Sequence, residues 1–154
     1  MMYYTHVLFS IFASFIAIDY FNIKNKVIFL LIALFFSLLP DIDESRSKIG
    51  RKNKLISKTI GFIFGHRGIF HTIYIPLVLF VLLNLINFEI AFACLIGYFS
   101  HLLLDAATKN GIKPFYPLFN KKINGFFKTN SIFEKLFFLT LVFVNLLIIL
   151  KYIQ

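Results

Sequence analysis

A chain of 154 residues that is 59% hydrophobic and 15% charged lacks the polar residues to cover a water-soluble core, and its mean hydropathy of +0.83 points to an integral membrane protein of one domain, residues 1–154. One cysteine, Cys94, excludes an internal disulfide and a paired-cysteine metal site. The net charge of +9 is read as a topology signal and an affinity for anionic membrane lipids; no nucleic-acid motif accompanies it, so no nucleic-acid partner is expected.

Five apolar segments follow in chain order, at about 3–21, 23–40, 72–88, 90–106 and 132–152. Each approaches the ~20 residues that cross a bilayer, although the middle three are short. The first lacks the basic flank and small-residue cleavage site of a signal peptide and is expected to stay as a helix. Lys24 and Lys26 must snorkel for the second to span. Residues 52–64, KNKLISKTIGFIF, mix lysines with aliphatics as an interfacial amphipathic helix does. Residues 114–127, PFYPLFNKKINGFF, interleave aromatics and lysines, with prolines that prevent a regular helix. The predicted fold class is all-α: a polytopic membrane helical bundle of about five transmembrane helices with interfacial amphipathic segments.

If all five segments cross, the start of the first, the 41–71 loop and the 107–131 loop share one side. That side and its flanks hold 13 of the 16 lysines and arginines. Positive-inside bias places it in the cytoplasm, at the inner membrane of a cell.

The polar residues concentrate at the same level. His6 opens the first segment. Asp41 and Asp43, in LPDID, close the second. His66 and His71, in GHRGIFHT, lead into the third. His101 and Asp105, in SHLLLD, close the fourth. Positions i and i+4 share a helix face, so His101 and Asp105 can chelate one ion or hydrogen-bond each other. Ionisable groups at membrane depth are costly and tend to be paired or functional. Imidazole and carboxylate without thiolate suit a divalent metal, with Zn favoured and Mn or Fe possible. His6, Asp41, His71, His101 and Asp105 are the candidate ligands. Asp43 and His66 are candidates for a second ion, a base or the catalytic machinery, and Arg67 is a guanidinium placed to clamp a phosphate or carboxylate. Thr72 reads as a helix cap.

Taken together, THVLFS (5–10), LPDID (39–43), SKTIGFIFGHRGIFH (57–71) and GYFSHLLLDAATKNGI (97–112) resemble the YdjM-like, LexA-regulated type of membrane-bound metal-dependent hydrolase family. The resemblance runs in order through residues 5–117. It implies a metal-dependent hydrolase with His6, Asp41, Asp43, His66, Arg67, His71, His101 and Asp105 at the site. The chain departs from the family pattern at Phe70, where a Thr is expected, and at Glu44, where a His is expected. More distantly, the order Asp, His, then HxxxD is similar to zinc-dependent phospholipase C enzymes, which implies phosphoester substrates.

The expected function is hydrolysis of a lipid-borne or interfacial ester or phosphoester, at the cytoplasmic face of the inner membrane, by a metal-activated water. A metal lowers the pKa of its water to about 7. The alternative is a non-catalytic membrane protein with a structural or regulatory metal site. A transport path is disfavoured, because the polar groups sit at one end of the spans rather than along them.

Overall fold

A computed structural model describes residues 1–43 and 68–153. Among these are five α-helices: α1 Tyr3–Phe21, α2 Lys26–Leu38, α3 Tyr74–Asn84, α4 Phe88–Ala106 and α5 Ile132–Ile153. Two 3-10 turns, Leu39–Asp43 and Ile69–His71, sit between α2 and α3. No strand forms among the described residues, where two isolated bridges, Thr108 with Phe127 and Ile112 with Ile123, tie the α4–α5 connection together. The all-α helical bundle is therefore as expected.

Three helices, α1, α4 and α5, are long and apolar enough to cross a membrane. The expected second and third spans are shorter as regular helix. α2 has 13 residues, about 20 Å, and the 3-10 turn at Leu39–Asp43 carries the chain on for about 10 Å more. α3 has 11 residues, because Thr72 is extended and Pro76 is accommodated only within a first turn. Thr72 does not cap α3: its hydroxyl turns back to the carbonyl of Ile69 at 2.7 Å.

Helix ends follow from local chemistry. Asn22 ends α1 in the left-handed region, φ 51°, a conformation asparagine tolerates. Asn87 caps α4 by accepting from the Ile90 amide. Ser131 accepts the Glu134 amide at the start of α5.

α4 is the hub, packing on α1, α2 and α3, while α5 packs on α1. The α4 sequence explains its place: Ala91, Ala93, Cys94 and Gly97 are small and buried, and small residues let helix backbones approach in a membrane. A Cβ on Gly97 would lie 2.1 Å from the Ala33 carbonyl oxygen of α2, so only glycine fits. Ala17, Ile18, Ile23, Phe29, Ala33 and Ala93 form one apolar cluster, and Tyr98, Leu102 and Ile112 another. The outward faces remain apolar: Leu31 and Phe35 on α2, Val78 and Val81 on α3, Phe143 and Leu146 on α5 are all exposed. Such a surface suits lipid rather than water.

The bundle has two chemically distinct ends. At one, Glu89 accepts the Lys24 and Asn25 amides, and the Tyr152 hydroxyl donates to Asp19. At the other lie the start of α1, the end of α2, the two 3-10 turns, the end of α4 and the start of α5.

Candidate metal centre

Four separate chain segments deliver the site. The first turns of α1 supply His6. The 3-10 turn after α2 supplies Asp41, where Pro40 leads the chain off the helix axis. The 3-10 turn before α3 supplies His71. The last turns of α4 supply His101 and Asp105. Two groups have ligand atoms all within 4.8 Å of one another: His6 with His101 and Asp105, and Asp41 with His71 and His101.

Asp105 lies at the centre. Its Oδ1 is 3.4 Å from His6 Nε2, and its Oδ2 is 3.5 Å from His71 Nε2 and 3.7 Å from His101 Nε2. The first amino nitrogen, of Met1, is 3.1 Å from Oδ1. His101 Nε2 also lies 3.6 Å from Asp41 Oδ1. The rings of His6 and His101 stack with centroids 4.1 Å apart. His6, His71, His101 and Asp105 are buried, and the Asp41 side chain is 20% exposed.

Whereas the Met1 amine donates a hydrogen bond to Asp105, the histidine–carboxylate separations exceed ordinary hydrogen bonds. They approach the edge of a tetrahedron of nitrogen and oxygen ligands around zinc, about 3.3 Å for metal–ligand bonds near 2.0–2.1 Å. The tautomer of His101 is fixed by its surroundings. Its Nδ1 is 2.8 Å from the Ser37 carbonyl, which can only accept, so Nδ1 carries a proton and, in the neutral ring, Nε2 carries the lone pair. That Nε2, like His6 Nδ1, is buried with no hydrogen-bond partner, and an unsatisfied buried nitrogen is costly. Two carboxylates also match the charge of one divalent ion, which imidazoles bind in their neutral form. The donor set fits a metal on charge, tautomer and spacing. Since His101 has one free lone pair, the two ligand groups cannot use it for two different ions.

Supporting contacts tie the supplying segments together. The Tyr98 hydroxyl donates to the Phe70 carbonyl at 2.8 Å, holding the His71 turn against α4. This uses only the backbone of Phe70, so the departure from Thr there leaves the contact intact. Thr108 donates to the Asp105 carbonyl and accepts from the Gly111 amide. Gly111 has φ 57° and no room for a Cβ against Ile123, which makes glycine necessary for the turn that closes α4.

All five expected ligands, His6, Asp41, His71, His101 and Asp105, are thus brought together. The side chain of Asp43, together with His66, Arg67 and the amphipathic stretch 52–64, lies outside the described residues. Sequence reasoning passed over two groups at this end of the bundle. Ser37 acts through its backbone carbonyl, which leaves no side-chain signal. Glu134 is buried at the same end of the bundle and accepts the Met2 amide and the Thr5 hydroxyl. The S-x-x-E pattern of residues 131–134, a helix-start signature, was available to find it.

Apolar spans, a lipid-suited outer surface and a buried histidine–carboxylate cluster at one end define a helical membrane protein with a candidate metal centre. The chain belongs to the YdjM inner membrane protein family, whose sequence model matches residues 1–154. It is 38% identical over 103 residues to YvsG of Bacillus subtilis (strain 168), an uncharacterized protein, covering 65% of this chain and 64% of that one. It is 35% identical over 92 residues to the inner membrane protein YdjM of Escherichia coli (strain K12), covering 55% of this chain and 47% of the relative. The YdjM of Shigella flexneri matches to the same extent. The matches therefore span about half to two thirds of the length of these relatives. No solved structure matches the chain significantly.

Proposed function

We propose that this chain is a multi-pass inner-membrane hydrolase that uses a divalent metal, with Zn favoured, to cleave an ester or phosphoester borne by a lipid or held at the interface. The carrying observation is the convergence of His6, Asp41, His71, His101 and Asp105, from four segments, into two ligand groups that share His101. When bound, the ion supplies a Lewis acid that makes water a competent nucleophile near neutral pH and offsets charge on the ester. The chain's own residues do the rest. Asp41, His71, His101 and Asp105 hold the ion, and His6 faces Asp105 from the other side. Ser37 fixes the His101 tautomer. Asp41, the donor with the greatest exposure, marks the side from which substrate and water enter. Asp43, His66 and Arg67 are proposed as base and anion contacts.

Lipid partners follow from the 107–131 connection. It carries Lys109, Lys113, Lys121, Lys122 and Lys128, no acidic residue, and exposed Leu118, Phe119 and Phe126. Apolar side chains beside lysines are suited to an anionic leaflet. The lobe is docked at the site's end, with the Pro114 carbonyl accepting from Ile73, two residues after His71.

A second reading, a structural or regulatory ion, is favoured by the near-complete burial of four of the five donors. A structural site is closed, whereas a catalytic one keeps an open position. The test is elemental analysis of the full chain purified in detergent, followed by a panel of phosphoester and lipid substrates. Bound metal with turnover supports the hydrolase. Bound metal that no small anion or inhibitor reaches supports the structural ion. Absence of transition metal, with His101→Ala behaving as wild type, ends both.

A further inference from the structure

Glu134 is a buried carboxylate that the metal centre does not use. It stands in the first turn of α5, fully buried. Its Oε1 accepts the Met2 amide at 2.5 Å and the Thr5 hydroxyl at 3.4 Å. Its Oε2 accepts the Asn130 amide at 2.6 Å. Met2, Thr5 and Asn130 all donate to its oxygens, from two helix starts, which is the arrangement a carboxylate satisfies and an amide does not.

Residues 2 and 5 bracket the turn of α1 that leads to His6. α5 is otherwise a peripheral helix, only 11% buried across its span, and it makes two further polar contacts with α1, where Asn145 donates to the Leu8 carbonyl and, at the far end, the Tyr152 hydroxyl donates to Asp19. The first turn of α1 has no side-chain N-cap of its own, and Glu134 binds the amide of Met2, just before that turn, and the hydroxyl of Thr5 within it. The height and rotation of that turn decide whether His6 Nε2 sits 3.4 Å from Asp105 or swings away from it.

We propose that Glu134 is a positioning residue for the metal centre: it clamps the start of α1 to α5 and so holds His6 against Asp105. This rests on the metal-centre reading above. A carboxylate that merely capped α5 would matter to folding but not to the affinity for an ion bound three segments away.

The test uses the full chain in detergent with Co(II) as the probe, read by titration and by the visible absorption of the bound ion. Glu134→Gln preserves volume but turns an amide group toward a donor. It is expected to weaken Co(II) binding by about 10–100-fold, the range for residues that orient ligands, and to change the Co(II) spectrum. The same substitution made in a His6→Ala background should cost little further, because the clamp acts through His6. Thr5→Val removes one donor and should weaken binding in the same direction by less. Wild-type Co(II) affinity and spectrum in folded Glu134→Gln, or an equal loss with and without His6, would overturn the proposal. If Glu134→Gln does not fold, wild-type binding by Thr5→Val overturns it. Failure of the wild-type chain to take up Co(II) sinks the metal-centre reading, and this one with it.

Discussion

His101 shows how one residue is committed to a task by its neighbours. Helix α4 presents its ring to the interior, the Ser37 carbonyl accepts a hydrogen bond from Nδ1–H, and Nε2 is left aimed between two carboxylates. Hydrogen bonding alone does not account for this, since the nearest carboxylate oxygens are 3.6 and 3.7 Å away. A metal would relieve the buried nitrogen. His101→Ala and Asp105→Asn should therefore abolish stoichiometric metal binding without preventing membrane insertion, as read by elemental analysis of the membrane-extracted protein. A ligand that binds only the folded state stabilises it, by about 2.7 kcal/mol at a hundredfold excess over Kd. Zinc should accordingly raise the melting temperature of wild-type protein and a chelator should lower it, while His101→Ala should respond to neither. An identical chelator response in wild type and His101→Ala would remove the centre from these residues. At this scale the sequence was informative: a shared membrane level for imidazoles and carboxylates pointed to the five side chains that the fold brings together. It said nothing of Ser37, whose contribution is a backbone atom.

Among the elements, α2 and α4 decide the geometry. Gly97 meets Ala33, and one helical turn further on His101 meets Ser37. The two contacts repeat at i, i+4 on both helices, so the close approach at Gly97 is what brings the Ser37 carbonyl within reach of the imidazole. Gly97→Val should force the helices apart, since the obstacle is backbone rather than a movable side chain. Overpacking of this kind costs about 1–3 kcal/mol. Metal affinity should fall as well, although residue 97 touches no ligand. The measurement is melting temperature and zinc titration side by side; a destabilised variant with wild-type zinc affinity would separate the packing from the site. The helices themselves were legible from apolar runs, because hydropathy marks a membrane helix strongly. Their true ends were less so. The second run, read to residue 40, leaves the α-helix at Leu38 and continues as a 3-10 turn over Leu39–Asp43, and Thr72, read as the start of the third, precedes α3. Hydropathy does not distinguish an α-helix from a tighter turn of similar composition, and it was these turns that aimed Asp41 and His71 inward.

For the whole molecule, the bundle places the start of α1, the ends of α2 and α4 and the start of α5 together, and with them the candidate metal centre and the lysine-rich lobe. The opposite end carries Lys24 and Lys26 beside Glu89 and Asp19. A split of 13 against 3 basic residues is far beyond what orientation requires, so the metal end should face the cytoplasm. The chain is well suited to a direct check, since its one native cysteine, Cys94, is buried. Lys122→Cys, exposed on the lobe, and Lys24→Cys, exposed in the α1–α2 turn, would report the two ends separately. In intact cells stripped of their outer barrier, an impermeant maleimide should label Lys24→Cys and spare Lys122→Cys until the inner membrane is opened. Neither substitution changes which side holds the charge surplus, so the pattern reports the native orientation. Labelling of Lys122→Cys from outside would place the metal end away from the cytoplasm. The substrate would then have to be an ester of the outer leaflet, and the anionic inner leaflet could no longer explain why the lobe pairs five lysines with exposed Phe119 and Phe126.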